Sequence, residues 1–258
     1  LAEAICDVAD NLIVVITCGS AIDLGEKVRK HAKAIIHAWY PGALGGLAIA
    51  QLIRGEYSPN GKLPLTFNEE DNTIPDISDY SMAGRTYRYF RGEPQYPFGY
   101  GLSYTTFDWK VTGFRANANT VTVNVKVTNT GKRAGKDVVQ VYFSAPYTKG
   151  GIEKSKIELA AYGKTGLLQP GKSQTLTLTY KTDDMASYDA DGKEAWVLDK
   201  GTYKIKVAHS VRDIEKTYSY TVPKTKVIKN DDKTGTKIQN LFDDTDEGLT
   251  VLSRADRK

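Results

Sequence analysis

Cysteine and histidine are scarce in this chain. Two cysteines (Cys6, Cys18) and three histidines (His31, His37, His209) are all that 258 residues offer. Scattered in this way they provide neither a disulfide framework nor metal-ligand spacing, and the cysteines read as two small buried thiols. Long apolar runs are missing as well. The longest, residues 12–16, falls far short of the roughly 20 residues of a membrane helix, so no membrane segment is predicted. A basic stripe is also missing. The 35 Lys and Arg are dispersed and the net charge is only +4, which argues against a nucleic-acid partner. There is no GxGxxG, and no metal or organic cofactor is implied. No signal peptide is visible. Leu1 opens in the middle of a helical pattern, as expected for a segment of a longer polypeptide.

What remains is globular in composition, 40% hydrophobic and 26% charged, with length for two domains of ordinary size. The order of the chain changes across residues 96–107, Tyr96-Pro97-Phe98-Gly99-Tyr100-Gly101-Leu102-Ser103-Tyr104-Thr105-Thr106-Phe107. Five aromatics between two glycines and a proline are too stiff and too apolar for a solvated linker. This stretch is expected to be a packed joint between an α/β part (1–95) and an all-β part (108–222).

In the first part, apolar residues at Leu1, Ala4, Ile5, Val8 and Ala9 predict a helix face. Leu12-Ile13-Val14-Val15-Ile16 predicts a strand buried on both faces, as in a mostly parallel sheet under flanking helices. Loops at the C-terminal ends of such strands are where ligands bind, which draws attention to Thr17-Cys18-Gly19-Ser20. Ser20 is a conceivable nucleophile, but no activating His or acid is spaced for it. Residues 26–33 predict a short polar helix and residues 34–39 a second strand, with His37 a hydrogen-bonded core residue. Gly45-Gly46 opens a helix through Arg54, where an anion site competes with close packing as the reason for the glycines. Asn60-Gly61 predicts a turn. Residues 62–67 are extended, with Pro64 at an edge. Arg85-Thr86-Tyr87-Arg88-Tyr89-Phe90 alternates like a strand, its two arginines set either to stack on a sugar or to hold the joint by ion pairs.

Beyond the joint, Val121, Val123, Val125 and Val127 alternate with polar residues. In 137–144, Val139, Val141 and Phe143 alternate with Gln140 and Tyr142. Similar patterns run through 176–180, 203–207 and 217–222. Roughly seven short strands separated by turns such as Asn129-Thr130-Gly131 and Gln169-Pro170-Gly171 predict an antiparallel fibronectin III-like sandwich, with Tyr203 as a corner tyrosine. Residues 166–173 satisfy GxxxxGK[ST], but the following residues alternate with period two. A phosphate loop needs a helix there, so nucleotide binding is not expected. Residues 223–258 read as a linker towards a further domain.

Several motifs in order resemble glycoside hydrolase family 3. They are Ala38-Trp39-Tyr40-Pro41-Gly42, Gly45-Gly46-Leu47-Ala48-Ile49-Ala50, Ser58-Pro59-Asn60-Gly61-Lys62-Leu63-Pro64-Leu65-Thr66-Phe67, residues 85–90 and Tyr96 to Tyr104. They are similar to the second, α/β sandwich domain of its β-glucosidase and β-xylosidase branches, and the β-rich part to the fibronectin III-like domain that follows. Asn240-Leu241-Phe242-Asp243-Asp244 and Leu252-Ser253-Arg254 resemble the connection to a downstream barrel in members of inverted domain order.

The resemblance implies a retaining β-glycosidase acting on terminal β-D-glucosyl residues. A barrel Asp nucleophile and a Glu acid/base would lie about 5 Å apart across the bond. The barrel motif is absent, and the acid/base region would lie upstream of Leu1. Asp23, Glu26, Glu56 and Glu93 are the acidic candidates left in the first part, and none sits in a matching motif, so no catalytic residue is carried over. The expected partners are a β-linked oligosaccharide or glucoside and the remaining domains of the same protein, with homo-oligomerisation left open. Two other readings compete: a carbohydrate-binding or adhesion module of a surface protein, and a small hydrolase built on Ser20.

Overall fold

The computed structural model describes residues 2–69, 76, 78, 82–239 and 254. The first part opens with helix α1 (Ala2–Cys6), strand β1 (Ile13–Ile16), helix α2 (Gly25–His31), strand β2 (Ala34–His37) and helix α3 (Gly45–Ile53). The two strands pair in parallel, Ile13 against Ala34 through Ile16 against His37, because α2 supplies the crossover that a parallel pair requires. Gly45 starts α3 buried, and a Cβ there would overlap the Pro41 ring, so close packing accounts for this glycine.

A single turn, α4 (Thr86–Tyr89), precedes the joint. The sandwich then follows with β3 (Phe107–Ala116), β4 (Thr120–Asn129), β5 (Val138–Ser144), β6 (Glu158–Lys164) and β7 (Ser173–Lys181). After a 3-10 turn at Thr182–Met185 come β8 (Ser187–Asp189), β9 (Ala195–Leu198), β10 (Gly201–Ala208), β11 (Ile214–Val222) and β12 (Lys226–Ile228). One sheet runs β3-β4-β7 and a second β11-β10-β5-β6, while β12-β9-β8 form a smaller third sheet. Val121, Val123, Val125 and Val127 on one sheet and Val139, Val141, Ile205 and Val207 on the other are fully buried in a common core. At roughly 25 cal/mol per Å² of apolar surface removed from water, this interior is the main source of stability. Tyr203 lies in the same core.

Several expectations need correction. The mostly parallel sheet reduces to the β1–β2 pair, and every other pairing between these strands is antiparallel. Among the described residues only one crossover helix links neighbouring parallel strands. β1 is not buried on both faces. Ile13 is 43% exposed and only Ile16 of the strand is buried, because what packs on a face, not the strand's own sequence, decides its burial.

Residues 85–90 hold no strand. Thr86 takes φ +53° and the chain makes one helical turn instead, which sets Tyr87 and Arg88 towards the sandwich. Asn60-Gly61 makes no turn either. The chain runs on past Gly101, where a Cβ would overlap the Gly61 carbonyl oxygen. Both faces of β5 are dry despite its alternation, all seven of its residues being buried.

Part of the expected linker is folded. β12 pairs with the free edge of β9, Lys226 pairs with Asp183 at 2.6 Å, and Lys181 pairs with Asp232. Asp231 Oδ1 caps the next turn through the backbone N–H groups of Lys233 and Thr234. Composition alone reports none of this, because the partner edge comes from elsewhere in the chain. The motif at 240–244 and residues 252–253 lie outside the described residues.

Candidate functional site

The C-terminal ends of β1 and β2 bring residues 17–20 and 38–44 together. Trp39 holds φ +54°, an uncommon backbone for an aromatic residue and one found where surrounding structure dictates it. Its ring lies 4.2 Å from that of His37, which also meets Phe67 edge-on at 5.5 Å. The aromatic series continues from Phe67 to Tyr96 and from Tyr96 to Tyr100. Tyr40, beside Trp39, is 80% exposed. These loops present a stiff aromatic wall.

The individual candidates fall out as follows. Ser20 is exposed, and His37 Nε2 lies 3.2 Å from its carbonyl oxygen rather than its hydroxyl, so there is no Ser–His dyad. Cys18 Sγ donates to the same carbonyl at 3.1 Å. Cys6 is buried and Cys18 half-buried, and both are free thiols. His31 Nε2 contacts the Ala9 carbonyl at 2.5 Å. His209 stacks on Trp109 with ring centres 3.6 Å apart.

Asp23 accepts from the Gly25 backbone and from Gln95, and pairs with Arg29 at 3.0 Å. That arrangement ties the start of α2 to the joint. Glu26 pairs with Lys30 one turn on, and that contact holds its carboxyl below the usual range. Glu56 pairs with Arg54, and Glu93 faces Arg212 at 3.7 Å while staying 90% exposed. Each candidate acid therefore already serves a basic partner.

Two cavities accompany this arrangement. One, of about 10 Å³, lies at the joint between Thr66, Tyr87, Phe90, Phe98 and Val211 and holds no more than a water. The other is an open groove of about 420 Å³ on the β3–β4 hairpin, lined by Gly113, Phe114, Arg115, Thr120, Thr122 and Asn124. Neither lining includes a carboxylate.

The built feature is the contact between the α/β part and the sandwich. Tyr87 stacks on Phe98 at 4.2 Å, and both meet Tyr142 of β5 edge-on. Gln140 Nε2 donates to the carbonyls of Gly99 and His209, at 3.0 and 2.7 Å, and Tyr142 Oη donates to Gln140 Oε1 at 2.6 Å. Burial drives the Tyr142 phenol well above its ordinary value, with Tyr87 adding to the effect. Gly99, at φ +82°, has no room for a Cβ beside Gln140 and Tyr142. Asp137, buried, accepts from Trp109 Nε1 at 2.8 Å and faces Lys62 Nζ at 3.6 Å. Around this centre Arg88 pairs with Glu158 at 3.1 Å. Arg133 donates to the Gly55 carbonyl and Arg212 to that of Gly92, while Arg85 donates to the Asp76 carbonyl. Of the two arginines flagged in 85–90, Arg88 thus makes the ion pair across the joint. Gln140, Tyr142 and Asp137 escape sequence reasoning because polar residues alternating with apolar ones read as solvent-facing.

With this geometry in place, the comparisons are informative. Residues 1–104 match a family profile described as glycosyl hydrolase family 3 C-terminal domain, and residues 137–211 one described as fibronectin type III-like domain. Beta-glucosidase A of Butyrivibrio fibrisolvens is 38% identical over 257 residues, covering 85% of this chain and 30% of that protein. A xylan 1,4-beta-xylosidase of Xylanibacter ruminicola is 39% identical over 186 residues, 71% of this chain and 21% of that protein. Among solved structures, beta-glucosidase 3B of Thermotoga neapolitana in complex with glycerol is 34% identical with TM-score 0.75, over 84% of this chain and 32% of that one. The beta-glucosidase of Kluyveromyces marxianus is 30% identical with TM-score 0.80, over 87% of this chain and 28% of that one. The chain spans less than a third of the length of the curated relatives it matches.

Proposed function

The chain belongs to glycoside hydrolase family 3, carrying that family's C-terminal domain followed by a fibronectin type III-like domain, and from this we propose that it is the supporting, non-catalytic segment of a retaining β-glycosidase. The observation that carries the reading is the pairing of Asp23, Glu26, Glu56 and Glu93 with basic partners, together with cavities that hold no carboxylate. Retaining hydrolysis needs two carboxyls about 5 Å apart across the sugar bond, and here those groups would come from the rest of the protein.

In this reading the loops after β1 and β2, with Trp39 and Tyr40, form one wall of the sugar site and the sandwich braces a catalytic barrel. Residues 1–95 belong to the α/β domain, 96–107 to the joint, 108–222 to the sandwich, and residues after β12 lead towards a further domain. The substrate class is a glucoside or oligosaccharide with a terminal β-D-glucosyl residue. The relatives named as β-glucosidases support that choice.

The 258-residue chain alone releases no nitrophenol from aryl β-glucosides, and the same chain covalently continuous with its remaining domains does. Turnover by the isolated chain would refute the reading. Retention of the isolated chain by a glycan in affinity electrophoresis would favour the binding-module alternative instead.

A further inference from the structure

Residues 145–157, joining β5 to β6, are held in place by their own polar contacts. Lys154 Nζ, almost fully buried, donates to the Pro146 carbonyl at 3.0 Å and pairs with Asp199 at 2.5 Å. Ser144 Oγ donates to the Lys156 carbonyl at 2.6 Å, and Ser155 Oγ to Glu158 at 2.8 Å. Tyr147 Oη donates to Glu153 Oε2 at 3.0 Å. The result is a recess with two carbonyl oxygens, one carboxylate and one aromatic face.

Arg254, distant in sequence, fills it. Its Nη1 reaches the carbonyls of Ala145 and Ser155 at 3.1 and 3.4 Å, its backbone N–H donates to Glu153 Oε1 at 2.6 Å, and its guanidinium lies 5.2 Å above the centre of the Tyr147 ring. A planar guanidinium can stack on a ring while donating in its own plane, which an ammonium cannot do. The position is not neutral ground. Burial disfavours the charge of Arg254, and Glu153 and Tyr147 oppose that effect. Burial lowers the pKa of the Lys206 ammonium, and repulsion from Lys156 and Arg254 adds to the effect. The oxygens of this recess and the Tyr147 ring are what offset the burial of the guanidinium.

We propose that residues 145–157 form an arginine socket whose occupant is Arg254 of this chain, so that the polypeptide after β12 is fastened back onto the fibronectin-like sandwich at a second point. The proposal is independent of the glycosidase reading, since it concerns contacts within the sandwich and its tail only.

Trypsin tests it on the intact 258-residue chain, because the enzyme must take the Arg254 side chain into its own pocket before cutting. Cleavage rates after Arg254 and after Lys233, in the exposed turn following β12, are read by mass spectrometry. Each is normalised to the chain unfolded in urea. The bond after Arg254 is expected to be cut at least about tenfold more slowly than the bond after Lys233, since proteolysis tracks the population of the open state. Glu153→Gln and Tyr147→Ala are each expected to raise the Arg254 rate about tenfold relative to the Lys233 rate. The ratio cancels any global loss of stability. Equal normalised rates in the unaltered chain, or a ratio that neither variant changes, would overturn the socket.

Discussion

The two regions of this molecule handle apolar surface in opposite ways. Before residue 105, Cys6, Ile16, Val28 and Phe67 are all the buried apolar side chains among the described residues, while Val8, Tyr40, Leu44, Leu47, Tyr57 and Leu102 stand well exposed. In the sandwich the valines of β4 and β5 vanish into a closed core. Among the described residues the α/β region leaves large apolar side chains exposed, whereas the sandwich closes on its own core. Stability should reside largely in the second and docking in the first, as is usual when apolar surface gathers in contiguous patches.

The sharpest way to break this contrast is to place the same charge in both regions. Ile205→Asp, at a fully buried site, is expected to cost more than about 4 kcal/mol and abolish cooperative unfolding of the sandwich. Val15→Asp, on half-exposed β1, is expected to cost roughly 1 kcal/mol. Urea denaturation followed by circular dichroism measures both, and comparable losses would dissolve the contrast.

A smaller effect comes from pH. Tyr142, Tyr180 and Tyr203 all lie in the sandwich, and burial raises the pKa of each phenol above its ordinary value. A raised folded pKa means that above about pH 10 the unfolded chain loses protons that the folded chain keeps. Stability is then fully present below pH 10 and falls as pH rises beyond it, by roughly 1 kcal/mol per tyrosine over the first unit. Urea midpoints collected from pH 8 to about 11 should show the decline, and a flat profile would mean that these phenols ionise in place.

The smallest of the three sits at the boundary between the regions. Gln140→Leu leaves the Gly99 and His209 carbonyls without their donor and is expected to cost about 2 kcal/mol. Faster hydrogen exchange should accompany it in residues 96–100 as well as in β5. Exchange that changes in β5 alone would show that the amide serves the sandwich and not the joint.

Much of the fold was legible because alternation is a local signal. The valine series of β4 and the β-branched runs of β1 and β2 announce their strands directly. What covers a face is not a local property. Gln140 and Tyr142 share a face in the expected way, yet that face is sealed by Tyr87 and Phe98, which lie more than forty residues upstream. The same limit hid β12, whose partner edge is β9, and misread Asn60-Gly61, where glycine serves a close backbone pass. For the site, the acidic candidates were visible as residue types. The engagement of Asp23 with Arg29 and of Glu93 with Arg212 depends on the folded chain, whereas Glu26–Lys30 and Arg54–Glu56 are local in sequence.

The arginine contacts between the two parts have a mechanical corollary. Arg133 reaches Gly55, Arg88 reaches Glu158 and Arg212 reaches Gly92. A body bolted at three separated points has no free axis left to swivel on. In solution the halves should tumble as one rotor, with amides on β2 and β10 reporting a single correlation time in nuclear spin relaxation.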